Sequence, residues 1–385
     1  MVSEHSAPRH EPYFNPYVEA LPKYNAGLSL AAARAVSGLE RIARLASNEN
    51  PYGCSPAVQR VLTDGAVEFW RYSDPGCERL RQTLARKLAV DPALIVVGNG
   101  SEEMIAAASR AFLCVGGQAL TVTPCFGLHE IEPLAVGASV TKVPFTDTFM
   151  FDVPALERAL AHAPDLVFLP TPSNPVGAAL DREGLARVIA ATPESSLLVL
   201  DEAYREFASE MVPDGLEMLR DTGREYLVLR TFSKAFGLAG LRVGYAICSS
   251  LRVARMLSAA KTPFNVNAVA QAAATAALED EAWMRSAVAR ICQERRRVSQ
   301  RLEGNGLRVA ASQGNFLFFD SGRSSTEVAS ALLKAGVIVK PWLEPNYQRF
   351  IRVSIGTPNE NDQFLSALAD ILQPGSYTEA ALGVL

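Results

Sequence analysis

Short apolar runs that alternate with helical patterns are the feature that most constrains how this chain can fold. Strands that are apolar without alternation are buried on both faces, as in a mainly parallel sheet covered by helices. The pattern therefore predicts an α/β fold with a mainly parallel central sheet. The six runs, each of which passes into a polar or glycine-containing turn, are LIVVGNG (94–100), ALTVTP (119–124), DLVFLPTPSNPVG (165–177), LLVLDEAY (197–204), YLVLRTFSK (226–234) and RVGYAICS (242–249).

Helical periodicity separates several of these runs. SEEMIAAASRAFL, from residue 101, has apolar residues at helical spacing, and Ser101 is a suitable cap for that helix. A second helix is expected from about Asp181 to Ala191. Strands and helices that follow each other in this way extend the α/β prediction to most of the first 250 residues.

The pattern changes after about Val266. A long helical region is followed by NFLFFD, a helix at 325–335, VIVKPW and FIRVSIG, which is typical of a smaller α+β unit. A chain of 385 residues also exceeds the usual size of one core. We therefore predict an amino-terminal arm over residues 1–45 that contributes to the small domain, a large domain over 46–275 and a small carboxy-terminal α+β domain over 276–385.

Composition excludes several classes of protein. The formal net charge is −4, with 37 basic and 41 acidic residues and no basic stripe, so nucleic acid is not an expected partner. No stretch reaches eighteen apolar residues, and the amino terminus has no apolar segment typical of a signal, so we expect a cytoplasmic protein outside the membrane. Six cysteines lack C-x-x-C spacing and four histidines lack H-x-x-x-H spacing, so reduced thiols and no metal site are expected.

Polar residues follow the predicted strands, where ligands bind in open α/β sheets. Lys234 follows one strand end and Asp201 ends a neighbouring run. Lysine forms Schiff bases with carbonyl cofactors, and pyridoxal phosphate needs an acidic partner for its ring nitrogen. A surface lysine and a helix-capping aspartate are the simpler alternatives, which these two residues alone leave open.

A binding site for the phosphate group of such a cofactor is suggested by GNGSEE at 98–103, a glycine-containing turn at a predicted helix start. Ser233 could add a hydroxyl and Arg242 a guanidinium able to bind two phosphate oxygens. G-N-G alone is an ordinary turn, and Arg242 alone could form a surface ion pair.

Seven ordered motifs together resemble one family. They are YNAGLSL with IARLASNENPYGCSP, RYSDP, VVGNGSEE, TPSNPVG, LVLDEAYREF, RTFSKAFGLAGLRVGY and IRVSIGTPNENDQFLSAL, which span about residues 24–372. In this order they are similar to the fold-type I pyridoxal-phosphate aminotransferases, and specifically to the histidinol-phosphate aminotransferase branch. The resemblance implies a large pyridoxal-phosphate-binding domain with a mainly parallel sheet, a small domain and an arm that adds dimer contacts.

The resemblance implies a role for each matching residue. Lys234 would hold the cofactor covalently and move a proton at the substrate α-carbon, and Asp201 would keep the pyridine nitrogen protonated. Asn174 and Tyr204 would bind the phenolic oxygen of the cofactor, and Phe126 would stack on its ring where the family more often has tyrosine. The implied phosphate-binding residues are Gly100, Ser101, Glu102, Thr231, Ser233 and Arg242.

The remaining implied residues concern the dimer and the substrate. Tyr72 matches a tyrosine that reaches the cofactor phosphate of the partner subunit, which implies a homodimer. Arg352 matches the arginine that pairs with the substrate's anionic group, and Asn48 and Tyr24 match substrate-side positions. Lys340 stands where the family usually has arginine, at the distal end of the substrate, and so lacks the planar fork of arginine.

The implied activity is a ping-pong transamination that converts histidinol phosphate and 2-oxoglutarate to imidazole acetol phosphate and glutamate, a step of histidine biosynthesis. An aromatic or other amino-acid aminotransferase on the same scaffold is the nearest alternative. A lyase similar to threonine-phosphate decarboxylase, or a non-catalytic pyridoxal-phosphate-binding protein, would use the same fold.

Lys234→Ala is expected to abolish turnover and the visible absorbance band of the covalently held cofactor, because no other group would replace the amine. Absorbance spectra and circular dichroism of the purified variant measure the band and the fold. Full activity in a folded Lys234→Ala protein would refute the assignment.

Overall fold

The computed structural model describes residues 14–23, 27–65 and 67–373. Its strands form a seven-stranded, a four-stranded and a two-stranded sheet. The strands in chain order are β1 Ala43–Arg44, β2 Ile95–Gly98, β3 Gln118–Thr123, β4 Ser139–Pro144, β5 Leu166–Pro170, β6 Leu197–Asp201, β7 Tyr226–Thr231, β8 Gly244–Cys248, β9 Arg308–Val309, β10 Phe316–Asp320, β11 Val337–Ile338, β12 Lys340–Pro341 and β13 Phe350–Ser354.

Helices follow most strands of the large sheet. They are α1 Pro16–Glu19, α2 Leu30–Ser37, α3 Pro56–Thr63, α4 Glu78–Leu88, α5 Ser101–Phe112, α6 Leu128–Ala135, α7 Val153–Leu160, α8 Arg182–Ala191, α9 Gly215–Leu219, α10 Leu251–Ala260, α11 Ala268–Glu279, α12 Glu281–Gly304, α13 Ser325–Lys334 and α14 Pro358–Leu372. None of the helices within the described ranges has an apolar stretch long enough to cross a bilayer.

The seven-stranded sheet has the order β2-β8-β7-β6-β5-β3-β4. Pairs from β7 through β6, β5 and β3 to β4 are parallel, whereas β8 runs antiparallel to both β7 and β2. The predicted mainly parallel α/β fold is therefore confirmed. Because β8 runs in the opposite direction, its first residues lie at the same edge as the last residues of β6 and β7.

The central strands are buried on both faces, as their continuous apolar sequence predicts. In β6, Leu198 and Leu200 belong to one apolar core, and Leu197 and Val199 belong to the core on the opposite face. All five residues of β6 are buried, including the terminal Asp201. The helices on the two faces exclude water from the middle of the sheet, so polar groups are concentrated at its edges.

The structure also corrects two details. β4, at the edge of the sheet, is absent from the six predicted runs because most of its side chains are exposed and its sequence mixes polar with apolar residues. Ser101 is the first residue of α5 rather than its cap, so the predicted capping role is wrong. Gly100 occupies the cap position with a φ of +79°, and α5 has no side-chain cap.

The four-stranded sheet, in the order β12-β13-β10-β9, is antiparallel throughout. Near it, β1 pairs in parallel with β11, which joins the amino-terminal segment to the carboxy-terminal part of the chain. The predicted division at residue 275 lies within α11, Ala268–Glu279. The three-part domain division stays a prediction.

The segment after β7 is packed tightly against the amino-terminal loop. Gly237 has a φ of +72°, and a Cβ atom at this position would overlap the carbonyl oxygen of Gly53. Asn50 Nδ2 donates to the carbonyl oxygen of Ala235 at 2.8 Å. These contacts hold the segment that carries Lys234 against residues nearly two hundred positions earlier.

Gly237→Ala is expected to lower the free energy of unfolding by about 1–3 kcal/mol, because it combines an unfavourable φ with a backbone overlap. Gly240→Ala is the matched control, since a Cβ atom there meets no atom within 4 Å. Denaturant unfolding of both variants measures the difference. Equal stability of the two variants would show that the close approach to Gly53 is unimportant.

Candidate active site

A cavity of about 550 Å³ lies at the carboxyl ends of β5, β6 and β7. Its walls also include the start of α5, the segment 46–49 and residues from β12 and β13. This is the edge at which open α/β sheets bind ligands. The predicted residues that line the cavity are Asn48, Ser101, Glu102, Phe126, Asn174, Asp201, Tyr204, Thr231, Ser233, Lys234, Arg242, Lys340 and Arg352.

Lys234 lies in the turn that follows β7, with its amine in the cavity. Its Nζ atom donates to the carbonyl oxygen of Ser47 at 3.1 Å and lies 6.0 Å from the ring centroid of Tyr204. Burial, together with the nearby guanidinium of Arg352, lowers the pKa of Lys234 to about 8. Both effects disfavour the ammonium form, so the uncharged, nucleophilic fraction of the amine rises from about a tenth at pH 7 to about half at pH 8.

Asp201 ends β6 and its carboxylate is held from two sides. Oδ1 accepts from the backbone N–H of Ala203 at 3.0 Å, and Oδ2 lies 3.1 Å from Nε2 of His129. The His129 ring is fully buried and stacks on Phe168 at a centroid distance of 5.1 Å. The carboxylate therefore has a fixed orientation, which suits it to bind a protonated ring nitrogen.

His129 is a site residue that the sequence reasoning missed. In the sequence, His129 has no second histidine at metal-ligand spacing, and no other local feature marks it as a site residue. Its partner Asp201 is 72 residues away in the chain. No local pattern around GLHE indicates this contact, which depends on α6 packing beside the end of β6.

Asn174 and Tyr204 are each paired with a substrate-side residue. Arg352 Nη1 donates to Asn174 Oδ1 at 2.7 Å, and another of its nitrogens donates to the carbonyl oxygen of Ala46. Asn48 Nδ2 donates to the Tyr204 hydroxyl at 2.9 Å. The residues predicted to bind the cofactor's phenolic oxygen thus each contact a residue predicted to bind substrate, in two separate hydrogen-bonded pairs.

The start of α5 has the features of an anion-binding site. Its first N–H groups are not satisfied by a side-chain cap, and the helix dipole favours negative charge there. At Gly244 a Cβ atom would lie 2.5 Å from the backbone nitrogen of Ser101, and at Gly100 it would lie 2.7 Å from Arg242 Nη2. The two glycines keep this cradle open, as a bound phosphate requires.

Arg242 lies beside the cradle, two residues before the antiparallel strand β8 begins. Its Nη2 atom donates to Glu102 Oε2 at 2.9 Å, and its Nη1 atom lies 3.5 Å from Ser233 Oγ. Thr231 Oγ1 accepts from the backbone N–H of Ser233 at 3.1 Å. Hydroxyl, amide and guanidinium donors therefore converge here, so the residues present fit the phosphate of the predicted cofactor.

Three other predicted residues do not share one location. Phe126 lines the cavity and meets His129 edge to face at 5.8 Å. Tyr72 is 85% exposed, stacks loosely on Phe264 at 4.7 Å and does not line the cavity of its own chain. Tyr24 lies outside the described residues.

Lys340 and Arg352 face each other across the antiparallel pair β12 and β13. Burial and the positive charge of Arg352 lower the pKa of Lys340 to about 8. Two cations in one wall of the cavity favour an anionic ligand.

This geometry defines the class of protein, and comparison with known families agrees with it. The family model for class I and II aminotransferases matches residues 40–368. The chain belongs to this family, and the predicted resemblance is confirmed.

Individual relatives have names more specific than that of the family. Histidinol-phosphate aminotransferase 3 of Rhizobium meliloti (strain 1021) is 42% identical over 92% of this chain and 96% of the relative. Histidinol-phosphate aminotransferase 1 of Mesorhizobium japonicum is 42% identical over 91% and 95%. The crystal structure of histidinol-phosphate aminotransferase from Sinorhizobium meliloti in complex with pyridoxal-5'-phosphate is 29% identical, with a TM-score of 0.86 over 94% of this chain and 98% of that one.

The amine of Lys234 is expected to become half-deprotonated at about pH 8 in the cofactor-free protein, because burial and Arg352 lower its pKa. Trace labelling with acetic anhydride from pH 6 to 11, with mass spectrometry of the Lys234 peptide, measures this value. Labelling should rise as pH increases through 8, and exposed Lys334 serves as the internal reference. A midpoint near 10.5 would contradict the expected effect of burial.

Proposed function

We propose that this chain is a pyridoxal-phosphate-dependent aminotransferase with histidinol phosphate as amino donor and 2-oxoglutarate as acceptor. The products would be imidazole acetol phosphate and glutamate, formed in two ping-pong half reactions. The observation that carries the proposal is one cavity that combines the Lys234 amine, the Asp201 carboxylate and the open start of α5 beside Arg242. Relatives of the same length with this activity in their names support the choice of donor.

Bound pyridoxal phosphate supplies a ring that withdraws electrons from the donor's α-carbon. The chain's own groups would orient that ring. Asp201 would hold a proton at the pyridine nitrogen, while Asn174 and Tyr204 would donate to the phenolic oxygen. The first amides of α5, with Ser233 and Arg242, would hold the phosphate.

Lys234 would have two roles, both of which need an uncharged amine. Its Nζ atom would hold the cofactor at the aldehyde carbon, and, after the donor's amine has displaced it from that carbon, the freed amine would take the proton from the donor's α-carbon. The lowered pKa of about 8 supports both roles, since a catalytic base works best with a pKa near the operating pH. The carbonyl oxygen of Ser47, 3.1 Å away, would orient the amine.

Arg352 and Lys340 would bind the anionic groups of the two substrates. Asn174 and the carbonyl oxygen of Ala46 hold the Arg352 guanidinium in a fixed plane, which suits bidentate binding of a carboxylate or phosphate. Lys340 would add a second cation to the same wall. Asn48, which is bound to Tyr204, would link substrate binding to the cofactor side of the cavity.

We further propose a homodimer in which Tyr72 of each protomer reaches the cofactor phosphate of the other. The exposed positions of Phe69 at 78%, Trp70 at 67% and Tyr72 at 85% support this, because adjacent exposed aromatic side chains favour a protein interface.

A role in histidine biosynthesis in the cytoplasm is part of the same proposal. Six free thiols are compatible with a reducing compartment.

Rapid loss of the cofactor's visible absorbance is expected when the holoenzyme is mixed with L-histidinol phosphate in the absence of acceptor. L-Phenylalanine, run in parallel by stopped flow, should react roughly tenfold more slowly or worse. Faster reaction with phenylalanine would instead favour an aromatic aminotransferase. Release of carbon dioxide from threonine phosphate would favour the lyase alternative.

A further inference from the structure

Glu344 is a carboxylate in the wall of the same cavity, and neither the family resemblance nor the relatives assign it a role. It follows β12 by three residues, after Trp342 and Leu343, which line the cavity as well. Thr123 Oγ1 donates to Glu344 Oε2 at 3.0 Å, and the backbone N–H of Cys125 is a second donor. Both partners are neutral, and they hold the carboxylate in one place.

The other carboxylates that line the cavity differ from Glu344, because each lies beside a basic side chain. The pairs are Glu49 with Arg44 at 3.2 Å, Glu102 with Arg242 at 2.9 Å, Glu130 with Lys142 at 2.7 Å and Asp201 with His129 at 3.1 Å. Within the described ranges, Glu344 has no basic partner at ion-pair distance. Lys142, the nearby cation that acts on Glu344, is itself paired with Glu130, so Glu344 is the lining carboxylate that is available to pair directly with a ligand donor.

Burial of the Glu344 carboxylate without a charged partner costs free energy as long as no ligand is bound. Burial raises the pKa of Glu344; the hydrogen bond from Thr123 and the charge of Lys142 act against this effect, while the carboxylate of Glu130 adds to it. A partly buried carboxylate gains most from a donor that is charged or strongly polar. A ligand N–H group placed against Glu344 would supply that donor.

Lys340 and Glu344, four residues apart in the chain, contribute a cation and an anion to the lining of the same cavity. A ligand with both an anionic group and an N–H donor complements this pair, whereas a hydrocarbon ring satisfies neither member. The apolar ring of Phe126 lines the same cavity and suits a flat ring.

We propose that Glu344 is a specificity-determining residue that binds the N–H group of the amino donor's side chain and so selects imidazole donors over hydrocarbon-ring donors. This inference rests on the proposed aminotransferase function and narrows its donor class. Glu344 acts in recognition and has no part in proton transfer at the α-carbon.

The experiment compares kcat/KM of the holoenzyme for L-histidinol phosphate, L-histidine and L-phenylalanine. Glu344→Gln removes the negative charge and keeps one side-chain oxygen to accept hydrogen bonds from Thr123 and Cys125. The preference for each imidazole donor over phenylalanine should fall by about ten- to a hundredfold, the range for a hydrogen bond to a charged group. Thr123→Val is the matched control, since it removes the Thr123 contact but keeps both the Glu344 charge and the backbone N–H of Cys125 that still holds the carboxylate, so the preference should change by less than about twofold.

An equal loss of preference in Thr123→Val would overturn the inference, because Glu344 would then act only by holding the loop. An unchanged preference in Glu344→Gln would overturn it too, as would a wild-type enzyme that reacts faster with phenylalanine than with either imidazole donor. If the wild type rejects histidinol phosphate but Glu344→Gln still reduces its preference for histidine, the proposed donor fails and the inference stands. Glu344→Asp, which keeps the charge, must retain the preference if Glu344→Gln does not fold.

Discussion

A buried ion pair between Glu202 and Arg230 joins the ends of the two strands that bring the site together. Arg230 Nε and Nη2 donate to Glu202 Oε2 at 2.9 and 2.7 Å, and Asp214 accepts from the same guanidinium at 2.9 Å. Glu202 follows Asp201 at the end of β6, and Arg230 precedes Thr231 at the end of β7. Removing one member of such a pair typically costs about 3–5 kcal/mol, because it leaves a buried charge unpaired.

The position of this pair explains why the cavity keeps its shape. Asp201 and Thr231 line the cavity, whereas their chain neighbours Glu202 and Arg230 do not. At the end of each strand, one polar residue therefore lines the cavity, and the residue adjacent to it takes part in the ion pair that joins the two strands. The parallel register of β6 and β7 sets the spacing, and the ion pair prevents the two ends from separating.

Positive charge in the cavity is the second determinant of the chemistry. Lys234, Arg242, Lys340 and Arg352 all line it, and burial together with the positive charge of Arg352 lowers the pKa of both lysines to about 8. The two guanidiniums are suited to bind anions, while the lysines become partly neutral near pH 8. One electrostatic environment thus provides anion-binding sites and a nucleophilic amine together.

The amino-terminal segment connects this environment to the carboxy-terminal part of the chain. The backbone N–H of Asn48 donates to Ser354 Oγ at 2.8 Å, and its side chain donates to Tyr204. Asn50 holds the carbonyl of Ala235, next to Lys234. The SNENPYG motif could be recognised in the sequence, but these partners lie 156 to 306 residues away and became evident only in the fold.

The sequence by itself determined the α/β class, because buried strands are continuously apolar, and its ordered motifs indicated the family. Most of the site residues that it predicted line the cavity, because polar side chains follow the carboxyl ends of the strands. The sequence did not predict β4, because the exposed edge position of this strand interrupts the apolar pattern. It also predicted Ser101 as the cap of α5, whereas Gly100 occupies that position. Only the tertiary structure decided that His129 contacts Asp201, that Arg352 pairs with Asn174 and that Glu344 lines the cavity with no ion-pair partner among the described residues. Such pairings depend on distances between elements far apart in the chain, which local periodicity does not encode.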